Sequence, residues 1–118
     1  MENTIIIQKW QKNIQNEYAL ANKYYAFLSV MNNFQLTERE IQLVSFTSIK
    51  GNISNANVRT EFCSLYNTSG PTINNIISKL KKLSIFIKEN GKVKVNPAIV
   101  IDFKKNVIIN ISLSHETN

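Results

Sequence analysis

The stretch from Ser69 to Pro97 constrains this chain more than any other, because it reads as a capped amphipathic helix running directly into a β-hairpin. Ser69 suits an N-cap, and Pro71 fits the first turn, where no intrahelical hydrogen bond is lost. Over Pro71 to Leu83 the apolar residues Ile73, Ile76, Ile77, Leu80 and Leu83 recur at helical spacing and form one core-facing stripe. Ser84 breaks that pattern. Ile85 to Lys88 then reads as a strand, Glu89-Asn90-Gly91 as a tight turn, and Lys92 to Val95 as the returning strand, ended by Pro97. Alternation places Ile85, Ile87, Val93 and Val95 toward the core, with Phe86, Lys88, Lys92 and Lys94 on the other face.

The side of the helix opposite its stripe carries Asn74, Asn75, Ser78, Lys79 and Lys82, with Thr72 and Lys81 at the flanks. It contains amide, hydroxyl and ammonium groups and no carboxylate. An ordinary solvated face mixes signs and gains ion pairs one turn apart. This one forgoes them. The net charge of +6 is concentrated in the same region, since residues 79–94 hold six lysines against Glu89 alone. Charge focused in this way is the footprint of a phosphate-binding surface, although a solvated face that maintains solubility would also be basic.

Upstream lie three further helices. The first is expected from about Lys9 to Met31, with Trp10, Ile14, Tyr18, Ala21, Tyr25 and Leu28 on one stripe. Tyr24, Phe27 and Met31 widen it, so it serves either packing within the domain or pairing of two copies in a homodimer. Thr4 to Ile7 reads as a short strand before it. The second helix starts at a capping box, Thr37 with Glu40, and a staple of Leu36 with Ile41, and it stops at Gly51. A third, about Ala56 to Tyr66, buries Val58, Phe62, Leu65 and Tyr66, with Asn67 at its end. In the tail, Ile99 to Phe103 and Val107 to Leu113 are β-prone.

A length of 118 residues suits one domain with its own core, and 43% apolar with 19% charged residues is ordinary for a folded chain. Cys63 has no partner for a disulfide or a metal cluster and reads as a core residue in a reduced compartment. No leader or membrane span is expected, since Ile5-Ile6-Ile7 is too short for either. Catalysis finds no support: His115 stands alone in a polar tail, and three glycines make no phosphate loop. No cofactor is implied. Ile and Asn, 17 each, point to an A/T-rich genome of the kind found in phages and mobile elements.

The run Leu65-Tyr66-Asn67-Thr68-Ser69-Gly70-Pro71-Thr72-Ile73, with Ile76, Ser78-Lys79-Leu80-Lys81-Lys82-Leu83 and Ile85, resembles the helix-turn-helix of bacterial and phage winged-helix regulators. Val93-Lys94-Val95-Asn96-Pro97 resembles the strand ending of plasmid replication-initiator-like winged-helix proteins. The similarity spans roughly residues 37–100. It implies an α+β fold that is mainly helical: a winged helix-turn-helix with a long N-terminal helix, a hairpin wing and a short C-terminal β segment. Residues 1–34 would precede the core at 35–98, and residues 99–118 would follow it. Function would then be binding of double-stranded DNA by a cytoplasmic regulator of transcription or replication in a bacterial host. Asn74 and Asn75 would make bidentate hydrogen bonds to adenine in the major groove, and Thr72 and Ser78 would meet either bases or phosphates. Lys79, Lys81, Lys82, Lys88, Lys92 and Lys94 would neutralise phosphates. No arginine is expected on this surface, which favours A/T-rich DNA over guanine recognition. The competing expectation is a virion or assembly component that meets other phage structural proteins through the same basic face.

Overall fold

A computed structural model describes Thr4, residues 16–112 and residues 114–115. The elements are α1 (Glu17–Met31), α2 (Glu38–Lys50), α3 (Ala56–Tyr66), α4 (Gly70–Lys82), β1 (Phe86–Glu89) and β2 (Lys92–Val95), with a 3-10 turn at Pro97–Ile99. The class is α+β and mainly helical, with a single two-stranded antiparallel sheet among the described residues. Among those residues, no helix is long and apolar enough to cross a membrane.

The helix boundaries follow from local chemistry. At the start of α2 the Thr37 hydroxyl accepts from the Glu40 N–H at 3.2 Å, and the Glu40 carboxylate accepts from the Thr37 N–H at 2.8 Å. Gly51, at φ 100°, ends the helix in a conformation that a side chain resists. Asn67 closes α3 in the left-handed region at φ 48°, and Ser69 caps α4 after a three-residue turn. At the other end of α4, the Ser84 N–H donates to the Lys81 carbonyl and the Ile85 N–H to the Leu80 carbonyl, both at 3.0 Å. This is a Schellman ending with Ser84, at φ 60°, in the place glycine usually takes.

Helix α1 begins later than its periodicity suggests. Asn16 is extended, and its side-chain oxygen accepts from the Ala19 N–H at 2.8 Å, so the helix starts at Glu17 and not near Lys9. Asparagine caps a helix well because its short amide satisfies an otherwise unpaired N–H. Trp10, Ile14 and the expected strand beyond Thr4 lie outside the described residues, and Thr4 itself is in no strand.

The hairpin corrects the expected phase of its first strand. Asn90 and Gly91 both have positive φ, 52° and 76°, as a two-residue type I′ turn requires. That turn pairs Glu89 with Lys92, Lys88 with Val93, Ile87 with Lys94 and Phe86 with Val95. Facing residues share a side of the sheet, so Phe86 lies with Val93 and Val95 in the core, and Ile87 lies with Lys94. Lys88 is exposed near the tip on the Val93 side.

One core unites these elements. Tyr18 stacks on Phe46 at 5.9 Å, and Phe46 meets Phe62 edge-on at 5.3 Å. Ile73, Ile76, Ile77 and Leu80 bring in α4, and Phe86, Val93 and Val95 bring in the hairpin. Ile53, fully buried between α2 and α3, donates its N–H to the Val93 carbonyl at 2.9 Å. The Val93 N–H in turn donates to the Ser54 hydroxyl at 2.8 Å, so the outer edge of β2 is engaged by this loop.

No strand forms in residues 100–112, against expectation. β-Propensity yields a strand only where the context supplies a pairing partner, and none of the described residues supplies one to this segment. Side chains hold the start of the segment in place instead, whereas Ile108, Ile109 and Ile111 are exposed. The buried Tyr25 hydroxyl donates to the Ile99 carbonyl at 2.9 Å and lies equally close to the Ser48 hydroxyl. Phe103 is buried between Tyr24 and Tyr25, at 5.6 and 5.7 Å. Of the aromatic stripe on α1, Tyr18, Tyr24 and Tyr25 thus pack within the chain.

Candidate nucleic-acid interface

The stripe of α4 buries Ile73, Ile76, Ile77 and Leu80, and this decides which side chains turn outward. Thr72, Asn74, Asn75, Ser78, Lys81 and Lys82 are exposed, as their helical spacing requires. Lys79 differs. It is half-buried, and its ammonium donates to the Glu40 carboxylate at 2.8 Å, tying α4 to the first turn of α2. On the hairpin, Lys88 and Lys92 are exposed, whereas the half-buried Lys94 pairs with Glu89 at 2.9 Å. Lys81, Lys82, Lys88 and Lys92 have no carboxylate within salt-bridge distance among the described residues. The six lysines therefore divide into two with structural partners and four available to a ligand.

Asn74 also has a partner. Its amide oxygen accepts from Arg59 Nη1 at 2.8 Å, while Arg59 Nε donates to the Ile53 carbonyl at 2.8 Å. An arginine therefore does reach this surface, contrary to the expectation from α4 and the hairpin alone. Asn75 makes no side-chain hydrogen bond among the described residues, which leaves both its donor and its acceptor free.

No family model, curated protein or solved structure matches the chain.

The site is thus defined by its own chemistry. Its floor is the buried stripe of α4, and its outer layer is a row of amides and hydroxyls beside ammonium groups. Such groups can donate to phosphate oxygens and to base acceptors, and the amides can also accept. Among the described residues no three His, Cys, Asp or Glu side chains gather to hold a metal. Sequence spacing missed Arg59 because it lies on α3. Its reach to Asn74, 15 positions away, arises only when α3 and α4 pack.

The Glu40–Lys79 pair makes the placement of α4 sensitive to acid. Burial pushes the Glu40 carboxyl up, but the hydrogen bonds from Lys79 and Thr37 outweigh it and leave the group below its ordinary value. A lowered carboxyl contributes stability above the unfolded-state pKa, about 4.3, and loses it as pH falls through the folded value. Glu40→Gln should therefore destabilise the protein by about 1 kcal/mol at neutral pH, because Lys79 is partly exposed and water screens the pair. The gap should hold above the unfolded value and close as pH falls through the lower folded one. Urea unfolding across that range checks this; a gap that stays constant in acid would show that the ionised pair contributes nothing.

Proposed function

We propose that this protein binds double-stranded DNA as a winged helix-turn-helix regulator of transcription or replication, acting for a phage or mobile element in a bacterial cytoplasm. In this reading α3 and α4 form the helix-turn-helix, α4 enters the major groove, and the β1–β2 hairpin is the wing. The order of elements supports it: α2, the Ile53 bridge, α3, a three-residue turn, α4 and a hairpin. The observation that carries it is the sorting of charge. Glu40 and Glu89 are each neutralised by a lysine, and the exposed side of α4 holds no acid, so Lys81, Lys82, Lys88 and Lys92 remain for phosphates.

The test separates reading of sequence from attraction to charge. Asn75→Ala removes a base-edge contact but no charge, whereas Lys82→Ala removes a charge from the same side. The first should weaken a selected site by about 1–3 kcal/mol and leave random DNA almost untouched. The second should weaken both and lower the salt slope by about one. Paired titrations of wild type and both variants, on selected and random duplexes, check this. If selection enriches no sequence and the protein is recovered stoichiometrically in assembled particles, the role is that of a virion component meeting other phage structural proteins.

A further inference from the structure

Arg59 fixes the orientation of Asn74, and this alters which base that side chain can read. The guanidinium donates through Nε to the carbonyl of Ile53 and through Nη1 to the amide oxygen of Asn74, both at 2.8 Å. Ile53 is fully buried, and its own N–H is bonded to Val93 of β2. The arginine is thus anchored to the loop that braces the hairpin, and it reaches α4 from that fixed point. A guanidinium can only donate, so the Asn74 oxygen must face it. The two hydrogens on Nδ2, which no hydrogen bond among the described residues occupies, are then the groups Asn74 most readily offers a ligand.

A free asparagine presents a donor beside an acceptor and matches adenine, which shows N7 and N6–H₂ in the major groove. A clamped asparagine has one lone pair of its oxygen taken and that oxygen turned toward the guanidinium, which favours its amide hydrogens as the groups that meet a base. Guanine shows two adjacent acceptors there, N7 and O6, and no donor to oppose the amide hydrogens. We infer that Arg59 is a positioning residue that commits Asn74 to guanine rather than adenine. The inference rests on the DNA-binding reading above and adds a specificity to it.

Selection from a random duplex pool, using the full chain, followed by titration of every single-base change in the winning site, tests it. The wild type should prefer guanine to adenine by about tenfold at one position. Arg59→Met should release Asn74 and invert that preference at that position alone. Asn74→Asp keeps an acceptor for Arg59 but replaces the outward donor with an acceptor, so the same position should shift to cytosine, whose N4 donates. If Arg59→Met unfolds the protein because Ile53 loses its anchor, Asn74→Asp still decides the matter, since it preserves that anchor. Adenine preferred by the wild type at the Asn74-responsive position would overturn the inference while leaving DNA binding intact, as would the absence of any such position. A wild type that enriches no sequence would overturn the DNA reading itself.

Discussion

Raising the salt from about 50 to about 200 mM will weaken duplex DNA binding roughly 150-fold. The figure follows from counting the lysines that the fold leaves without a carboxylate. Each phosphate neutralised releases counterions and contributes about −0.9 to the slope of log affinity against log salt. In the proposed DNA-binding reading, Lys81, Lys82, Lys88 and Lys92, which have no carboxylate partner among the described residues, would make four such contacts and give a slope of about −3.6. Lys79 and Lys94 are excluded because Glu40 and Glu89 hold their ammonium groups at 2.8 and 2.9 Å. Replacing either of these two with Ala should leave the slope unchanged, whereas each of the other four should lower it by about one. Fluorescence titrations on a duplex at four or five salt concentrations measure this. A slope near −5.4 would mean that both paired lysines leave their carboxylates for DNA. Binding that ignores salt, or is absent at about 50 mM, would remove the phosphate-binding reading.

That division of lysines was only half legible in the sequence. Helical periodicity placed Lys82, Asn75 and Ser78 outward correctly, because the Ile/Leu stripe leaves a helix no other way to turn. Pairing with Glu40 lies 39 positions away and depends on how α2 meets α4, which no local pattern encodes. The hairpin is a different case. Asn90-Gly91 announces a two-residue turn, and that turn alone sets Val93 opposite Lys88 and Phe86 opposite Val95. The expected phase followed the apolar alternation of Ile85 and Ile87 and overlooked the register that the turn imposes. Ile85 is buried nonetheless, because it closes the Schellman ending of α4 before the strand begins. In α1 and the tail, periodicity overreached. Asn16 caps α1 at Glu17, and the tail packs on the core through Ile99, Ile101, Phe103 and Val107, with Ile108, Ile109 and Ile111 exposed and in no strand.

Phe62→Ala is expected to cost about 3–5 kcal/mol, the range for removing a fully buried aromatic ring. Phe62 is the one side chain of α3 that is buried throughout, and it meets Phe46 of α2 at 5.3 Å and Tyr66 at 4.7 Å. The other ties of α3 are weaker. Lys50 reaches Glu61 at 3.1 Å, but their side chains are 32% and 46% exposed, and Arg39 lies over the Tyr66 ring at 5.6 Å. Losses of this size are a large part of the 5–15 kcal/mol that holds a domain together, and melting should fall by about 10–25 °C. Phe62→Leu, which keeps most of the apolar volume, should lose about 1–2 kcal/mol. Glu61→Ala, on the same helix, should lose no more than about 1 kcal/mol and serves as the control. Because Arg59 is also on α3, loosening this helix frees Asn74 as well. In the DNA-binding reading, the Phe62→Ala variant should therefore lose the preference for guanine at the position Asn74 reads even at temperatures where helical content persists. Circular dichroism melts and DNA titrations on the three variants measure both effects. A Phe62→Ala loss no larger than that of Glu61→Ala would mean that α3 is not fastened through this ring, and its control over the α4 surface would have to be assigned elsewhere.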